Sequence, residues 1–195
     1  MKIAIVGADG TNKAWTPERI EKAKLVIRAI FHGAKFFDRL PKNDFEHYLY
    51  GFIQENIEVD RNIILISSHC PEGGVDIWAE EMADKFGIQK EIYPAEVNQW
   101  EDKKVLLFGG GIIKHKGYRS RNIQIAETCD VLYDIEPKGS CEHCDGRGFT
   151  SKHPNFLLYG RRCRFCHGTG AYSGGTWTLN YAKKLGKGVH QVIIE

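Results

Sequence analysis

The sequence predicts an α/β protein of the Rossmann-like, doubly wound type, with a mainly parallel sheet and an inserted zinc ribbon. Three observations support this prediction. Apolar strand-like runs alternate with helical patterns along most of the 195 residues, the loops that lead into the helices are rich in glycine, and two cysteine pairs interrupt the alternation. Repeated strand-helix units favour a parallel sheet that is covered by helices on both faces.

The first unit is the apolar run KIAIVG (residues 2–7), which predicts a strand and is followed by the glycine turn GADGTN. Thr16 is the predicted N-cap of the next helix and Pro17 its first residue. Apolar residues recur at helical spacing on one face of this helix: Ile20, Ala23, Ile27, Ile30 and Ala34. A second helix is predicted to begin at Asp44.

The middle of the chain continues the alternation. NIILISS (residues 62–68) predicts a buried strand, and the loop HCPEGG follows it. VDIWAEEMADKF then predicts a helix that ends at Gly87, with five residues facing inward: Val75, Trp78, Ala79, Met82 and Phe86. IQKEIYPA predicts the next strand.

Beyond the glycine-rich FGGGIIKHKGYRS, RNIQIAETC predicts a helix, DVLYDIE a strand, and TLNYAKKLGKGVHQVIIE a helix and a terminal strand. No apolar run approaches the ~20 residues of a membrane span. The N-terminal apolar run is also too short for the apolar core of a secretory signal. We therefore expect a cytoplasmic protein with no membrane partner.

Four glycine-rich or polar loops precede predicted helices: GADGTN, SSHCPEGG, KGYRSRN and SGGTW. Parallel sheets bind ligands beyond the carboxyl ends of their strands. Glycine lets the backbone approach a phosphate, and a helix N-terminus offers free N–H groups and a partial positive charge. Any one of these glycines can simply turn a strand into a helix, but four such loops together favour a nucleotide site.

The cysteines give the strongest signal in the chain. Cys141, Cys144, Cys163 and Cys166 form the pattern C-x2-C-x18-C-x2-C, the spacing of one structural zinc ion held by four thiolates. Disulfides or a redox CxxC are the competing interpretations, but two spaced pairs supply a complete tetrahedral shell. Such a closed shell leaves no position for water, so we expect the metal to stabilise this segment and not to perform chemistry. The other two cysteines, Cys70 and Cys129, are expected to be ordinary thiols.

Both cysteine pairs fit CxxCxGxG, in CEHCDGRG and CRFCHGTG, so this segment resembles the cysteine-rich repeats of DnaJ chaperones. The resemblance covers only an insertion at residues 138–171, between two parts of a Rossmann-like domain at 1–137 and 172–195. The chain has no J-domain motif, and chaperone function is therefore not implied.

The rest of the chain resembles the SLOG superfamily of Rossmann-like nucleotide-binding domains, which includes the LONELY GUY phosphoribohydrolases and DprA. The resemblance rests on GGVDIWAEEMADKFGI, RNIQIAETCDVLY and GGTWTLNYAKKLGKGVHQVII. It implies a ligand that carries a nucleotide or a ribose phosphate. The residues that it places nearest to the ligand are Gly7, Asp9, Gly10, Gly73, Gly74, Arg121, Asn122, Gly174, Gly175 and Thr176.

The chain departs from the LONELY GUY pattern GGxGTxxE, whose glutamate belongs to catalysis. Aligned from Gly174, it has Trp177 at the third glycine and Tyr181 at the glutamate. Hydrolysis of an N-glycosidic bond benefits from an acid and an anion. Asp9, Asp76 and Glu127 are the substitutes that the sequence offers, although helix capping explains Asp76 about as well as catalysis does, and a solvent-exposed helix position explains Glu127 better.

The insertion contains six basic and two acidic residues, a net charge of +4, which leaves −2 for the rest of a chain whose total is +2. Aromatic residues are interleaved with these charges, a mixture that can bind phosphates and stack on bases. Exposed basic and aromatic residues are also typical of small zinc segments with little core.

Three function hypotheses follow. The first is a nucleotide-binding sensor or hydrolase in which the glycine loops and Arg121 hold phosphate. The second is a nucleic-acid-binding protein that uses the basic zinc ribbon, and the third is a protein-interaction module. A homodimer is expected only by analogy with related folds.

Overall fold

The computed structural model describes residues 1–33, 62–150 and 161–195. It confirms the α/β class and the mainly parallel sheet. Five parallel strands form the central sheet: β1 (Lys2–Gly7), β2 (Ile64–Ser67), β3 (Gln89–Ile92), β6 (Val131–Pro137) and β7 (Gly188–Ile194). Their order is β3-β2-β1-β6-β7, which is the order of a Rossmann-like fold. The sequence analysis predicted each of these strands.

Helices cover both faces of the sheet, as predicted for a doubly wound fold. They are α1 (Pro17–Gly33), α2 (Val75–Phe86), α3 (Tyr118–Thr128) and α4 (Gly174–Lys184). Side chains of β1 alternate between the two faces: Ile3 and Ile5 pack with α1 and α2, whereas Ala4 and Val6 pack with α3 and α4. Both faces of β1 are therefore apolar, which explains the uninterrupted apolar run from Ile3 to Val6.

The predicted start of α1 and the predicted end of α2 agree with the structure, whereas α3 begins at Tyr118, before the predicted segment RNIQIAETC. The Thr16 hydroxyl accepts a hydrogen bond from Arg19 N at 3.3 Å at the start of α1. Gly87 adopts the left-handed conformation that ends α2. The inward-facing residues predicted for α2 all belong to the core or pack against it. The helix predicted to begin at Asp44 lies outside the described residues, as does Ala34.

The glycine-rich segment between β3 and α3 forms an element that the sequence analysis did not predict. Strands β4 (Lys103–Leu106) and β5 (Ile112–His115) pair antiparallel and make a separate two-stranded hairpin. The hairpin contributes no strand to the central sheet.

The insertion (residues 138–171) follows β6 and precedes α4. It begins near the carboxyl end of β6 with a short 3-10 helix, Glu142–Cys144. The start of the insertion therefore lies at the same sheet edge as the loops that the sequence analysis assigned to ligand binding.

No helix of the described residues is long and apolar enough to cross a membrane.

Candidate functional site

A cavity of ≈ 250 Å³ lies at the carboxyl end of β1, and we name it the switch-point cavity because the strand order reverses there. Its walls come from the loop after β1, the loop between β2 and α2, the start of α3 and the start of α4. Trp100, which precedes the hairpin, lines it as well. The strand order of the sheet therefore brings all four loops named in the sequence analysis to the crevice where doubly wound folds bind ligands.

The first two loops pack so closely that only glycine fits at their contact. A Cβ on Gly74 would lie 2.6 Å from both Ala8 O and Gly10 N, and a Cβ on Gly10 would lie 2.8 Å from Glu72 O. Gly74 also has a φ of 93°, in the region that favours glycine. These glycines fix the floor of the cavity by backbone contact.

The N-terminus of α4 faces the same cavity and is capped. The Ser173 hydroxyl accepts a hydrogen bond from Gly175 N at 3.0 Å, and Thr176 completes a capping box with Ser173 N. Gly175 rests directly on β1, because a Cβ there would lie 2.6 Å from Gly7 Cα. The first turn of α4 is therefore held against the carboxyl end of β1.

The guanidinium of Arg121 is held in place from two sides. Its Nε and Nη2 both donate to Asn122 Oδ1 at 3.0 Å, and its Cζ lies 4.8 Å from the centre of the Tyr118 ring. Asn122 is buried, and its Nδ2 donates to Gly174 O at 3.5 Å. Arg121 Nη1 is buried without a hydrogen-bond partner among the described residues.

Asp76, in the first turn of α2, lines the same cavity and is only 7% exposed. Oδ2 of this carboxyl accepts a short hydrogen bond from the Ser68 hydroxyl, whereas Oδ1 is buried and finds no donor within the described part of the chain. Burial raises the pKa of Asp76 to about 6, although the charge of Arg121 and the Ser68 hydrogen bond both lower it.

One cavity thus contains a buried donor, Arg121 Nη1, and a buried acceptor, Asp76 Oδ1, neither of which is paired within the described residues. Leaving a buried polar group unpaired costs about 1–3 kcal/mol, and more for a charged group. Two such groups in one concave site are typical of sites that bind polar ligands.

Beneath the cavity, Asp134 and Glu136 lie on the same face of β6, and both are fully buried. Asp134 Oδ2 accepts from the Thr176 hydroxyl and from Gln191 Nε2, both at 2.9 Å. Burial raises the pKa of Asp134 to about 6, and burial together with the charge of Asp134 raises the pKa of Glu136 well above its usual value. The pair therefore retains a proton at pH values at which exposed carboxyls have lost theirs.

Glu136 connects the cavity to the insertion. It accepts a hydrogen bond from the Ser140 hydroxyl at 2.9 Å and a short one from the Ser173 hydroxyl. Ser140 directly precedes the cysteine segment, and Ser173 caps α4. One buried carboxyl therefore ties both elements to the end of β6.

The insertion is also fastened to the β1–α1 loop and to α1. Asn12 Nδ2 donates to Ser140 O at 3.5 Å, and Arg19 Nη1 donates to Lys138 O at 2.8 Å. A second cavity of ≈ 240 Å³ lies between this loop and the insertion, and it shares Asp9, Ser173 and Gly174 with the switch-point cavity. The two cavities therefore adjoin at the start of α4.

The four predicted metal ligands form one buried cluster, in which all four sulfur atoms lie within 4.8 Å of one another. Sγ of Cys141 lies 3.9 Å from that of Cys163, and Sγ of Cys144 lies 3.7 Å from that of Cys166. A tetrahedral ion with metal-sulfur bonds of about 2.3 Å separates its sulfurs by about 3.8 Å. A disulfide requires about 2.05 Å. The cluster therefore has the spacing of a four-thiolate metal site.

The two halves of this cluster support each other symmetrically. Cys163 N donates to Gly148 O at 2.8 Å, and Cys141 N donates to Gly170 O at 3.0 Å, so the last glycine of each repeat binds the first cysteine of the other. A Cβ on Gly148 would lie 2.4 Å from Gly168 O, so the two repeats pack backbone against backbone. This reciprocity explains why the CxxCxGxG motif occurs twice.

Comparisons with protein families, with curated proteins and with solved structures found no match to this chain. The resemblance to SLOG proteins remains a prediction from the quoted motifs.

Seven of the ten residues that the resemblance places near a ligand line the switch-point cavity: Gly7, Asp9, Gly73, Arg121, Asn122, Gly174 and Gly175. Gly10 and Gly74 lie behind it and allow its loops to pack. Thr176 is buried below it and binds Asp134. Whether these residues bind a nucleotide stays a prediction.

Of the three acids considered as substitutes for the LONELY GUY glutamate, Asp9 and Asp76 line the cavity. Glu127 is exposed near the end of α3 and is not among the residues that line it. Tyr181, at the position of the missing glutamate, stacks on Trp177 with ring centres 5.6 Å apart and is likewise not part of the lining. A carboxyl for chemistry in this cavity would therefore come from the first or the second loop.

The sequence analysis missed several residues of the site. Asp134 and Glu136 were interpreted only as part of a strand, although two acids at alternate positions of an apolar strand are a detectable signal of a buried polar group. Trp100 and Ser68 carry no comparable signal, because they follow no motif that the sequence displays.

Removal of the Asp76 charge provides a test of its burial. Asp76→Asn keeps an acceptor for Ser68 but carries no charge, so we expect it to be more stable than the wild type at pH 7 by as much as about 3 kcal/mol. Because the folded pKa lies above the unfolded one, the native state binds more protons, and the wild type loses this stability as the pH rises from about 4 through 6. Urea unfolding at pH 4 to 7 measures the difference.

The stability gap between Asp76→Asn and the wild type should shrink as the pH falls toward 4. Asp84→Asn, which removes an exposed acid of the same helix, controls for the loss of one negative charge. A variant that is less stable than the wild type at pH 7 would show that the Asp76 charge is compensated inside the protein.

Proposed function

We propose that the switch-point cavity binds a nucleotide or a nucleotide derivative, with Arg121 contacting a phosphate and Asp76 contacting a ribose hydroxyl. The observation that most supports this proposal is that Arg121 Nη1 and Asp76 Oδ1 lie buried at one cavity and have no hydrogen-bond partner among the described residues. A phosphate supplies the acceptor that Arg121 requires, and a hydroxyl supplies the donor that Asp76 requires.

The backbone of the site suits the same ligand. Gly73 of the second loop, where a Cβ would find no atom within 4 Å, permits close approach of a phosphate, and the start of α4 favours negative charge. Two aromatic residues line the cavity: Tyr118 lies against the Arg121 guanidinium, and Trp100, which is 39% exposed, offers a ring on which a base can stack. Phosphate, sugar and base each therefore have a matching surface.

Turnover of the ligand is a further step of the same proposal. Asp76 retains its proton up to a pH near 6, so it can donate that proton to the departing base as an N-glycosidic bond breaks, while a water adds to the sugar carbon and releases a proton to solvent. This function would make the chain a hydrolase of nucleotide-like ligands. Without turnover, the same contacts serve a sensor.

We further propose that the four-cysteine cluster binds one structural Zn²⁺. Four thiolates at tetrahedral spacing are a donor set that zinc prefers, and they leave no open position for a water or a substrate. The ion would hold the two CxxCxGxG repeats together and so fix the wall of the second cavity.

Arg121→Ala is expected to abolish the thermal stabilisation given by the bound nucleotide. A ligand at 100 times its Kd stabilises the native state by about 2.7 kcal/mol, which corresponds to about 5–10 °C for a chain of this size. We would screen the metal-bound protein by thermal shift against nucleoside monophosphates, nucleoside diphosphates and ADP-ribose. For a probe that shifts the wild type, loss of the Arg121 contact should weaken Kd by about 30-fold or more.

Two further variants make this test specific. Arg121→Lys keeps the charge but not the planar contacts to Asn122 and Tyr118, so we expect it to recover little binding. Arg119→Ala removes an exposed arginine of the same helix that pairs with Glu101, and it should leave binding unchanged.

Binding of nucleic acid to the basic insertion is the alternative outcome of this screen. Arg161, Arg162 and Arg164 are exposed on it, and Arg164 lies over the Phe165 ring. If no mononucleotide or ADP-ribose shifts the wild type but an oligonucleotide binds with steep salt dependence, the nucleotide proposal fails and nucleic-acid binding through the zinc ribbon replaces it. If neither class binds, a protein-interaction module remains.

A further inference from the structure

The β4–β5 hairpin presents an apolar tip to solvent. Leu106 is 73% exposed, Ile112 is 66% exposed, and Phe108 between them is fully exposed. Leu107 and Ile113 are exposed as well. Monomeric proteins rarely leave so many large apolar side chains uncovered at one tip, and exposed apolar surfaces of this kind mark interaction sites.

The tip makes few contacts of its own within the described residues. A Cβ on Gly109 or on Gly110 would find no atom within 4 Å, and one on Gly111 would meet only Leu107. An isolated two-stranded hairpin is marginally stable in water. Its apolar residues therefore gain little from folding unless something else covers them.

The base of the hairpin, in contrast, is firmly attached. Asp102 accepts hydrogen bonds from Gly117 N and the Ser120 hydroxyl, both at 2.8 Å, and pairs with Lys114 at 2.7 Å. These hydrogen bonds, led by that of Lys114, hold the pKa of Asp102 well below its usual range. Gly117 also admits no Cβ, which would lie 2.5 Å from Glu101 O. The chain thus holds an uncovered apolar tip in a defined position.

A second apolar surface lies beside this base. Trp177, Tyr181 and Leu185 recur every four residues along α4, which places them on one face of the helix. Trp177 stacks on Tyr181 and meets Trp100 edge-on at 5.2 Å, and Leu185 is exposed. We name this surface the α4 stripe. Its first residue, Trp177, contacts Trp100, which precedes the hairpin.

We propose that the hairpin is an arm through which two copies of this chain form a two-fold dimer, the tip of each arm covering the α4 stripe of the other copy. A two-fold contact requires that one chain carry both halves of the interface, and this chain presents a projecting apolar tip and an apolar stripe in which Leu185 is exposed and Trp177 and Tyr181 are half-buried. The proposal is independent of the ligand proposed above.

The area is sufficient for a stable dimer. Covering the five apolar side chains of the tip removes on the order of 500 Å² from solvent in each copy. The surface that covers them loses about as much, so the reciprocal contact buries on the order of 2,000 Å² in total, which falls in the range of lasting interfaces.

The polar residues of the arm are compatible with this pairing. Lys104 lies directly opposite Lys114, and Lys103 directly opposite His115, so the cations occupy the base and the apolar residues the tip. Lys114 is paired with Asp102 and His115 with Glu96 within the same chain. The tip can therefore be buried while these charges stay at the rim, as in other interfaces.

Sedimentation velocity of the metal-bound protein at about 10–100 µM tests the proposal. The wild type should sediment as a dimer, and Leu106→Asp combined with Phe108→Asp should sediment as a monomer, with an unchanged circular dichroism spectrum because both residues are exposed. Ile92→Asp, at an exposed apolar residue of β3, is the control and should remain dimeric. A monomeric wild type, or a dimeric arm variant, would overturn the proposal.

A photo-crosslinking amino acid at position 108 tests the contact itself and keeps an aromatic side chain there. Irradiation should join two chains, with the crosslinked peptide containing residues 177–185 of the partner. Crosslinks within one chain, or to another part of the partner, would refute the arm. A monomeric wild type whose arm binds anionic vesicles or duplex DNA would instead assign the tip to a lipid or nucleic-acid partner.

Discussion

Replacement of Cys166 by serine is expected to release the metal and unfold the insertion. Removal of one thiolate opens the tetrahedral shell, and structural zinc supplies an apparent 10–16 kcal/mol to a small metal-binding segment at neutral pH. Metal analysis should find one zinc per chain in the wild type and far less in Cys166→Ser. The variant should also lose its highest-temperature unfolding step or melt at a markedly lower temperature.

Cys70→Ser is the matched control for this experiment, because Cys70 lies outside the cluster and its replacement should leave the zinc content unchanged. A thiol titration of the denatured, chelated wild type should find six free cysteines. A zinc-free wild type, or one in which the four cluster thiols are missing because they are oxidised, would contradict the metal site.

The second large effect is expected from substitution of Gly175 in α4, and its neighbour Gly174 provides the matched control. A Cβ on Gly175 would lie 2.6 Å from Gly7 N and Cα and 2.6 Å from Asp134 Oδ1, so Gly175→Ala forces α4 away from β1. We expect it to destabilise the fold by about 3 kcal/mol or more, or about 6–12 °C in Tm. The nearest atom to a Cβ on Gly174 is 3.9 Å away, so Gly174→Ala should change stability by less than about 0.5 kcal/mol.

Chemical denaturation of the two variants beside the wild type measures this difference. Both substitutions add one methyl group in the first turn of the same helix, so helix propensity cannot account for a gap between them. Equal stabilities would mean that α4 does not rest on β1 as described.

Much of the central fold is predictable from the sequence because its signals are local. The apolar runs of β1 and β6 and the periodicity of α2 identify elements that are each covered by the core. The alternation of strands and helices then leaves few topologies for a parallel sheet. The hairpin escaped prediction because neither of its strands has a buried face, so its sequence shows no alternation of apolar and polar residues.

The candidate site is predictable only in part. Glycines such as Gly7 and Gly175 can be recognised as candidates in the sequence, and at both positions close backbone contact leaves no space for a Cβ. The roles of Asp76 and Arg121 depend on which atoms stay unpaired after folding, and that depends on neighbours distant in the sequence such as Ser68 and Asn122. No local pattern contains this information.

The cysteine cluster was the most accurate prediction of the site, because the spacing of the ligands in the sequence already restricts their spacing in space. The spacing of the cysteines does not indicate how the insertion attaches to the sheet. That attachment depends on Glu136, a residue that the sequence analysis assigned only to a strand.

The shared contacts of Glu136 have a thermodynamic consequence. Ser140, next to Cys141, and Ser173, the cap of the helix that borders the cavity, each bind one oxygen of this single carboxyl. Ordering one serine therefore fixes the carboxyl and lowers the entropy still to be lost by the other. If a metal orders the first and an occupant of the cavity orders the second, linkage requires that each strengthen the binding of the other by the same factor.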